Sequence, residues 1–291
     1  MNHIDLCSLI REKSVLNFSE ASDALQQILF GASKADVLPL LKQIGTIPED
    51  IRHDSSEEKL YTKASDILFA KVLKEMNFDA VVLRERSNCA DIVAQSKYHN
   101  YSLVGDAKAF RLSRTAKNAK DFKVESMVHW KGDKDFSVLV CPYFQYPRES
   151  SQIYRAALSG NVALFSWEYL YIILCEDVKE SAEVDLRSLW NQSDNIMQET
   201  KIVDENKCFI RQQDENLRKI LEITEEQFIS YFDEIKGAVV CRGNEEIHYY
   251  ESEIARIQNL NRADAIKELL ASMKLESKIK TIKKFINQVQ G

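Results

Sequence analysis

A carboxylate and an amine, Asp106 and Lys108, lie two residues apart at the end of an apolar run. If that run is a β-strand, side chains i and i+2 point to the same face, so the acid and the amine project together while Ala107 points away. Asp91 comes fifteen residues earlier, directly before another apolar run. Two adjacent strands would bring both carboxylates beside the lysine. Two carboxylates can hold a divalent metal, and an ammonium can polarise a water, which is the chemistry of metal-dependent phosphodiester cleavage.

Magnesium prefers oxygen ligands, so we expect Asp91, Asp106 and the backbone carbonyl of Ala107 to bind it, with Lys108 holding the attacking water or a phosphate oxygen. The triplet Asp-Ala-Lys alone is a weak signal, because an acid at a strand end is more often a turn former or a helix cap. Glu57 or Glu58, next to the helix cap Ser55-Ser56, could also face the metal. Favourable charge at a helix N-terminus is the alternative explanation.

Basic residues are concentrated between Val104 and Lys123, a stretch that we call the basic segment. It holds six basic residues against two acids, so its charge is 6 − 2 = +4, and the rest of the chain carries −6 − 4 = −10. A local basic surface on an acidic body is typical of a protein that binds DNA at one face, although a charge run can also be a solvated helix face.

The basic segment also carries side chains that suit base and phosphate contacts. Arginine can bind guanine, asparagine can bind adenine, and lysine binds phosphate by default. The residues that we expect to contact DNA are Arg111, Ser113, Arg114, Thr115, Lys117, Asn118 and Lys120. Asp121 is either a further active-site carboxylate or an ion-pair partner of Lys117 or Lys120.

The apolar patterns predict an α/β fold with the element order α-β-β-β-α-β-α-β-α. Helices are predicted over residues 1–50, with Ser33 as a cap and Gly45 as an end, and from Ser55 to about Met76. A meander of antiparallel strands comes next, and βαβ crossovers then make the rest of the sheet parallel. The predicted strands are 80–84, 91–94, 101–107, 135–140 and 161–165, and the predicted helices are 113–130 with a possible break near Asp121, 151–158 and 167–175.

The last third of the chain is predicted to be helical, after a polar helical or irregular connector over residues 176–201. Amphipathic stripes over 247–257, 263–270 and 279–289 suit dimer packing. Residues 238–241 could form a short strand or a core helix.

Composition excludes several classes of protein. The longest apolar runs are too short to span a membrane, and no signal peptide is evident at the N-terminus. Six cysteines are scattered without a C-x-x-C spacing, which argues against a zinc site and favours reduced thiols in a cytoplasm.

The quoted residues resemble the HindIII family of type II restriction endonucleases. The similarity is strongest over Val104–Val124 and extends, with gaps near 176–240, from the first helices to the last. Other matching stretches are Glu58-Lys-Leu-Tyr-Thr-Lys-Ala, Asn88-Cys-Ala-Asp91, Phe144-Gln-Tyr-Pro147 and Phe165-Ser-Trp-Glu168.

The resemblance implies the PD-(D/E)xK superfamily, with its αβββαβ core and mixed sheet, extended here by N-terminal and C-terminal helices. Asp91, Asp106 and Lys108 then fill the D…D-x-K pattern, and Asp121 stands where the family has a further acid near the metal. Ala90 departs from the proline of the motif. Arg84 stands near a family acid and is left out of the site.

The resemblance also implies a bacterial cytoplasmic homodimer that makes a double-strand cut in a palindromic site, AAGCTT, with Mg²⁺ or in its place Mn²⁺, and without a nucleotide cofactor. The implied division is an N-terminal helical segment (1–54), a nuclease core (55–178) and a C-terminal helical region for dimerisation and DNA clamping (179–291), although the chain could form one continuous domain. The alternatives are a nuclease of the same fold with another specificity, a catalytically inactive DNA-binding relative, and a helical interaction protein.

Overall fold

The structure, a computed structural model, describes residues 1–84, 89–114, 119–147, 151–193, 196, 205–273, 278–280 and 282–283. The chain divides into two compact units, 1–243 and 244–291, and the division falls within a long helix. The three-part division expected from the sequence follows other boundaries and stays a prediction about the role of each part.

The first unit surrounds a five-stranded sheet with helices, and the described helices and strands alternate much as the sequence predicts. The strands are β1 (Phe78–Val82), β2 (Ile92–Ser96), β3 (Ser102–Ala107), β4 (Phe136–Cys141) and β5 (Val162–Ser166). The helices are α1 (His3–Lys13), α2 (Phe18–Gly31), α3 (Lys34–Leu41), α4 (Ser56–Glu75), α5 (Ala119–Phe122), α6 (Val124–Lys131), α7 (Gln152–Gly160), α8 (Trp167–Cys175), α9 (Arg187–Trp190), α10 (Glu205–Leu221), α11 (Glu225–Gln258) and α12 (Arg262–Ser272).

The sheet has the order β1-β2-β3-β4-β5 and mixes two kinds of pairing. The first three strands form an antiparallel meander, and β3, β4 and β5 pair in parallel. Both features confirm the predicted α/β fold with a mixed sheet. The two parallel crossovers, through α5 and α6 and through α7, need the helical connections that the sequence provides between these strands.

Both faces of the parallel half are covered, which explains why its strands are almost entirely apolar. Along β4, Val138 and Val140 face a core formed with α1 to α4 and α8. Leu139 and Cys141 face a second core formed with α6 and α7. The sheet is therefore fixed from both sides, and its strand ends can hold side chains rigidly.

Helix α4 begins at the predicted place, because the Ser55 side chain accepts a hydrogen bond from the Glu58 backbone N–H at 3.1 Å. It packs unusually close to β3 at Gly105. A Cβ added at Gly105 would lie 2.6 Å from Cε1 of Phe69, so the close approach requires glycine. This contact brings the middle of α4 against the strand that carries Asp106.

The helix predicted to begin at Ser113 is wrong in its start and confirmed in its break. Residues 111–114 are not helical, residues 115–118 lie outside the described residues, and the helical part is split into α5 and α6. Lys123 separates the two helices with a left-handed φ of 52°. A non-glycine residue in that region interrupts a right-handed helix, and this places the break two residues beyond Asp121.

Three smaller expectations are corrected or refined. The helix capped by Ser33 ends at Leu41, before Gly45. A Cβ at Gly45 would lie 2.8 Å from Cγ of Pro142 and 2.9 Å from Cδ1 of Trp167, so this glycine permits close packing. Residues 238–241 lie within α11, so the helical alternative holds and the strand does not; Val239 packs against the core, whereas Val240 and Cys241 are exposed.

The described part of the connector after α8 contains both irregular chain and the short helix α9, the two alternatives predicted for it, and it is fastened by the buried Glu180. The carboxylate of Glu180 accepts hydrogen bonds from the Ser96 hydroxyl at 2.5 Å and from the Tyr101 hydroxyl. Its backbone N–H donates to the Met76 carbonyl at 3.0 Å. A charge buried this deeply is tolerated because its oxygens are satisfied.

The second unit contains the end of α11 and helix α12, which Asn261 caps. Arg256 donates to both carboxylate oxygens of Glu268, at 2.7 and 2.9 Å, and ties the two helices together. Most of the last predicted stripe, 279–289, lies outside the described residues.

Candidate active site

The strand register brings the first two predicted carboxylates together. Ile92 pairs with Gly105 in the antiparallel β2–β3 ladder, so the next step of the register sets Asp91 opposite Asp106. The Asp91 backbone N–H donates to the Gly105 carbonyl at 3.2 Å, which continues the ladder to that step. Asp106 is 1% exposed. The juxtaposition inferred from two acid-bearing strands is therefore present in the structure.

Lys108 lies beside Asp106, as the i, i+2 spacing predicts. Its ammonium donates to Oδ2 of Asp106 at 2.5 Å. Two further bonds fix its backbone: its N–H donates to the Val140 carbonyl at 2.7 Å, and its carbonyl accepts from the indole N–H of Trp167 at 2.9 Å. The amine is thus held on a backbone anchored to both β4 and α8.

A third carboxylate, Asp66 of α4, joins the pair, and sequence reasoning missed it. The ligand atoms of Asp66, Asp91 and Asp106 all lie within 4.8 Å of one another. Asp66 is three residues before Phe69, on the same side of α4, so the close packing at Gly105 carries it into the site. An acid inside the run Ala-Ser-Asp-Ile-Leu-Phe-Ala was the available signal, since a charge there must be buried with a partner.

The electrostatics of this cluster disfavour three negative charges. Burial, followed by the charges of Asp91 and Asp106, raises the pKa of Asp66 well above its ordinary value. Burial and the charge of Asp106 also raise the pKa of Asp91. Burial acts to lower the pKa of Lys108, but the neighbouring Asp106 outweighs it and the pKa is raised, so the ammonium stays charged.

The donor set fits a hard divalent cation. Oδ1 of Asp66 is buried and has no hydrogen-bond partner among the residues that the structure describes, although buried carboxylate oxygens are normally satisfied. Lys63 acts on the cluster from α4, but its ammonium donates to the Leu83 carbonyl at 2.8 Å. Lys63, Lys108 and, at Asp91, Lys123 act on the three carboxylates, which form the all-oxygen environment that Mg²⁺ and Mn²⁺ favour.

The other candidates for the metal site lie elsewhere. Glu58 is committed to the Asp54 backbone N–H at 2.7 Å and to Arg111, while Glu57 lies in the first turn of α4. Asp121 is outside the group of three and pairs with Arg114 at 2.7 Å. The predicted roles of Asp121 and of the Ala107 carbonyl as metal ligands remain predictions.

The predicted DNA contacts fall into three sets. Arg111 is 13% exposed and hydrogen-bonds to Glu58, and Ser113, although exposed, hydrogen-bonds to Glu49. Arg114 is half exposed and Lys120 is exposed beside a cleft of about 330 Å³ between α5, α6 and α7. The remaining three, Thr115, Lys117 and Asn118, lie outside the described residues.

A mixed five-stranded α/β sheet, with carboxylates on adjacent strands and a lysine two residues after the second, is the fold and site of a restriction-endonuclease-like nuclease. The comparisons with known proteins specify the family. The model of the HindIII restriction endonuclease family matches residues 9–286. The chain is 37% identical, over 98% of its own length and 95% of the relative's, to the type II restriction enzyme HindIII of Haemophilus influenzae.

The chain therefore belongs to the HindIII restriction endonuclease family and is a site-specific endonuclease whose substrate is DNA. Membership also implies a divalent metal cofactor, which agrees with the carboxylate group described above. Within the described residues, no helix is both long enough and apolar enough to cross a lipid bilayer.

Proposed function

We propose that this endonuclease makes a Mg²⁺-dependent double-strand cut in the palindromic site AAGCTT. The observation that carries the proposal is the convergence of Asp66, Asp91 and Asp106 beside Lys108, in a chain so similar to a HindIII enzyme. Mn²⁺ would substitute, because the same oxygen ligands suit both ions. The site of action would be the bacterial cytoplasm, where the DNA is.

Asp91 and Asp106, with the Ala107 carbonyl, would hold the cation, and Asp66 would bind it or one of its waters. When bound, Mg²⁺ lowers the pKa of a coordinated water and neutralises the charge that develops on the phosphate. Lys108 would hold the attacking water or a phosphate oxygen. Its ammonium, which donates to Asp106 in this structure, would supply a positive charge next to the carboxylates that would hold the cation.

Arg114, Lys120 and the undescribed Thr115, Lys117 and Asn118 would contact DNA, and Asp121 would orient Arg114 or approach the metal. Phosphate contacts from the lysines would set affinity, and the arginine and asparagine would contribute sequence preference. Substituting Lys120 with Ala is expected to weaken binding to all sequences alike and to lower the slope of log Kd against log salt by about 0.9.

We further propose a homodimer, because a palindromic site presents two equivalent half-sites to two equivalent subunits. The second unit supports this proposal by its own surface. Its helices expose large apolar side chains at helical spacing, namely Ile247, Tyr250, Ile254, Ile257, Ile266, Leu269, Leu270 and Met273. An exposed apolar stripe of this kind on a small helical unit marks an interaction surface.

The dimer is tested by light scattering at micromolar concentration. The wild-type protein should have twice the mass of the chain, and Ile254→Glu should shift it toward the monomer mass and reduce double-strand cutting. Lys267→Glu, a charge change on α12 outside the stripe, serves as the control. A wild-type monomer with and without DNA would refute the proposal.

The function itself is tested by digesting one sequenced plasmid. We expect discrete fragments with ends at AAGCTT in Mg²⁺ and none in chelator. Discrete fragments with other ends would show a different specificity, a smear would indicate a nuclease of the same fold without a fixed site, and binding in Ca²⁺ without cleavage in Mg²⁺ would indicate an inactive relative.

A further inference from the structure

The chain that follows the catalytic lysine is fastened to the protein interior at Arg111. Its side chain is 13% exposed, and its guanidinium donates to the Pro48 carbonyl at 2.8 Å and to the Ile51 carbonyl at 2.7 Å. Two more bonds, from Nε at 3.2 Å and from Nη2 at 2.6 Å, go to Oε1 of Glu58. Since arginine has five N–H donors, these four bonds leave little of it to bind a phosphate.

Ser113 is fastened in the same way, to Glu49. Its backbone N–H donates to Oε1 at 2.9 Å, and its hydroxyl donates to Oε2 at 2.9 Å. Only 2% of the Glu49 side chain is exposed, and its Oε2 also lies 3.8 Å from Nη1 of Arg111. We call these four residues, Glu49, Glu58, Arg111 and Ser113, the clasp.

Backbone pairing continues the clasp toward the active site. Phe110 forms a parallel bridge with Thr46, its N–H donating to the Gly45 carbonyl at 2.9 Å while its carbonyl accepts from Ile47 at 3.2 Å. The segment from Lys108 to Ser113 is thus bonded along its length to β4, α8, the loop of residues 45–51 and α4.

Helix α4 connects the clasp to the carboxylate cluster. Glu58 and Asp66 are eight residues apart on this helix, which corresponds to about 12 Å along its axis. The clasp therefore binds the start of the DNA-contacting part of the basic segment to the same rigid element that supplies the third carboxylate.

We propose that Arg111 and Ser113 are positioning residues, which Glu49 and Glu58 hold so that the chain from Lys108 to Arg114 lies at a fixed place relative to the carboxylates of the active site. The proposal rests on the endonuclease function proposed above, and it replaces direct DNA contact by these two residues. Misplacement of reacting groups by about 1 Å can cost roughly 10²-fold in rate, so a loosened clasp should lower cleavage more than binding.

The first experiment compares Arg111→Lys with wild type on a duplex that contains the site wild type is found to cut. Lysine keeps the charge and loses the forked geometry. We expect kcat to fall about 10- to 100-fold, with the slope of log Kd against log salt, measured in Ca²⁺, unchanged. Arg11→Lys is the matched control, because Arg11 pairs with Asp50 of the same loop but lies outside the clasp.

Substituting Arg111 with Met then distinguishes positioning from phosphate contact directly. A lost phosphate contact would lower that salt slope by about 0.9 and would overturn the proposal. Wild-type kcat in Arg111→Lys would overturn it as well.

The second experiment uses the sign of the effect at Glu49. Removing a negative charge near DNA should strengthen binding if the group acts through its charge alone. If Glu49 instead holds the chain in place, Glu49→Ala should lower kcat about 10-fold or more. The matched control is Asp50→Ala, the same charge change at the adjacent residue, which should leave kcat within twofold of wild type. Unchanged or faster cleavage by Glu49→Ala would refute positioning.

Ser113→Ala keeps the test informative if either charged variant fails to fold, because it removes only one hydroxyl. We expect a lower kcat with little change in Kd. Wild-type cleavage is measured first, and an inactive wild-type protein would count against the proposed function. If wild type cleaves, a lower kcat with an unchanged Kd in the variants supports the clasp, and an unchanged kcat contradicts it.

Discussion

The carboxylate cluster and the clasp bury similar numbers of charges and treat them in opposite ways. In the clasp, one arginine and one serine satisfy Glu49 and Glu58 with short hydrogen bonds. In the cluster, one oxygen of Asp66 has no hydrogen-bond partner within the described part of the chain, and burial raises the pKa of both Asp66 and Asp91. The two regions therefore differ in how far the protein itself compensates their carboxylates.

The physical reason for the difference is that a folded chain can satisfy a buried carboxylate by itself. Where the chain provides the donors, the charge contributes to the scaffold. Where the chain supplies too few donors, the buried carboxylate destabilises the fold until a ligand provides positive charge. A divalent cation provides that charge in the smallest volume.

The largest expected effect is the loss of cleavage when Asp91, Asp106 or Lys108 loses its charge. Asp106→Asn, Asp91→Asn or Lys108→Met should reduce the cleavage rate by about 10³-fold or more, since metal-bound chemistry supplies several kcal/mol of transition-state stabilisation. Plasmid nicking and linearisation in Mg²⁺ measure the rate. Asp79→Asn, the same change at an exposed residue of β1, should cut normally. Full activity in Asp106→Asn would contradict the assignment.

Substitutions in the clasp should also lower the free energy of unfolding, in addition to their effect on kcat. Arg111→Ala removes the cation beside the buried Glu49 and the partly buried Glu58, so the free energy of unfolding should fall by about 3 kcal/mol. Urea denaturation measures this change, with Arg11→Ala as the control for an exposed pair. A loss no larger than that of the control would mean that the clasp does not stabilise the fold.

Glu168 adds a third case, because it is a buried acid outside the cluster that accepts hydrogen bonds from its surroundings and still has a raised pKa. Burial raises its pKa from 4.5 to about 7, although the backbone N–H of Tyr143 donates to it at 2.9 Å. The folded-state pKa exceeds the unfolded-state value, so its contribution to stability is full below pH 4.5 and is lost as the pH rises through about 7.

Denaturation in urea at several pH values tests this expectation. Glu168→Gln should remove a pH-dependent loss of about 3 kcal/mol. If the variant and the wild type show the same slope of unfolding free energy between pH 5 and about 7, Glu168 does not titrate in this range.

The smallest expected effect is a change in stability for Asp66→Asn, and its sign is opposite to that expected for Arg111→Ala. Asp66→Asn removes a poorly compensated buried charge, so the metal-free protein should become more stable by about 1 kcal/mol, while cleavage slows roughly 10- to 100-fold. Thermal unfolding in chelator and a cleavage assay in Mg²⁺ measure the two changes. A destabilised Asp66→Asn protein would show that its carboxylate is compensated in the wild-type protein.

Much of the sheet and two thirds of the carboxylate cluster could be predicted from local patterns. Apolar runs of strand length and the connections between them fix the order of strands, and the i, i+2 spacing places Lys108 beside Asp106. Asp91 could be placed because a meander sets neighbouring strand ends side by side. These features depend on residues close in sequence or on one simple pairing.

Asp66 and the clasp could not be predicted from such patterns, because each depends on contacts between distant parts of the chain. Asp66 reaches the site through the close approach of α4 to Gly105. Arg111 and Ser113 are residue types that commonly contact DNA, and only the position of the loop that carries Glu49 shows that they are bonded within the protein. The interrupted helix at Lys123 likewise depends on a backbone conformation that composition does not indicate.

The central claim is that Asp66, Asp91 and Asp106 surround the position of a divalent cation. Anomalous scattering from a crystal of the protein with its DNA and Mn²⁺ tests it most directly. We predict that the strongest peak lies between these three carboxylates, beside Lys108. A site without a peak, or a strongest peak at the surface group of His53, Asp54 and Glu58, would contradict the claim.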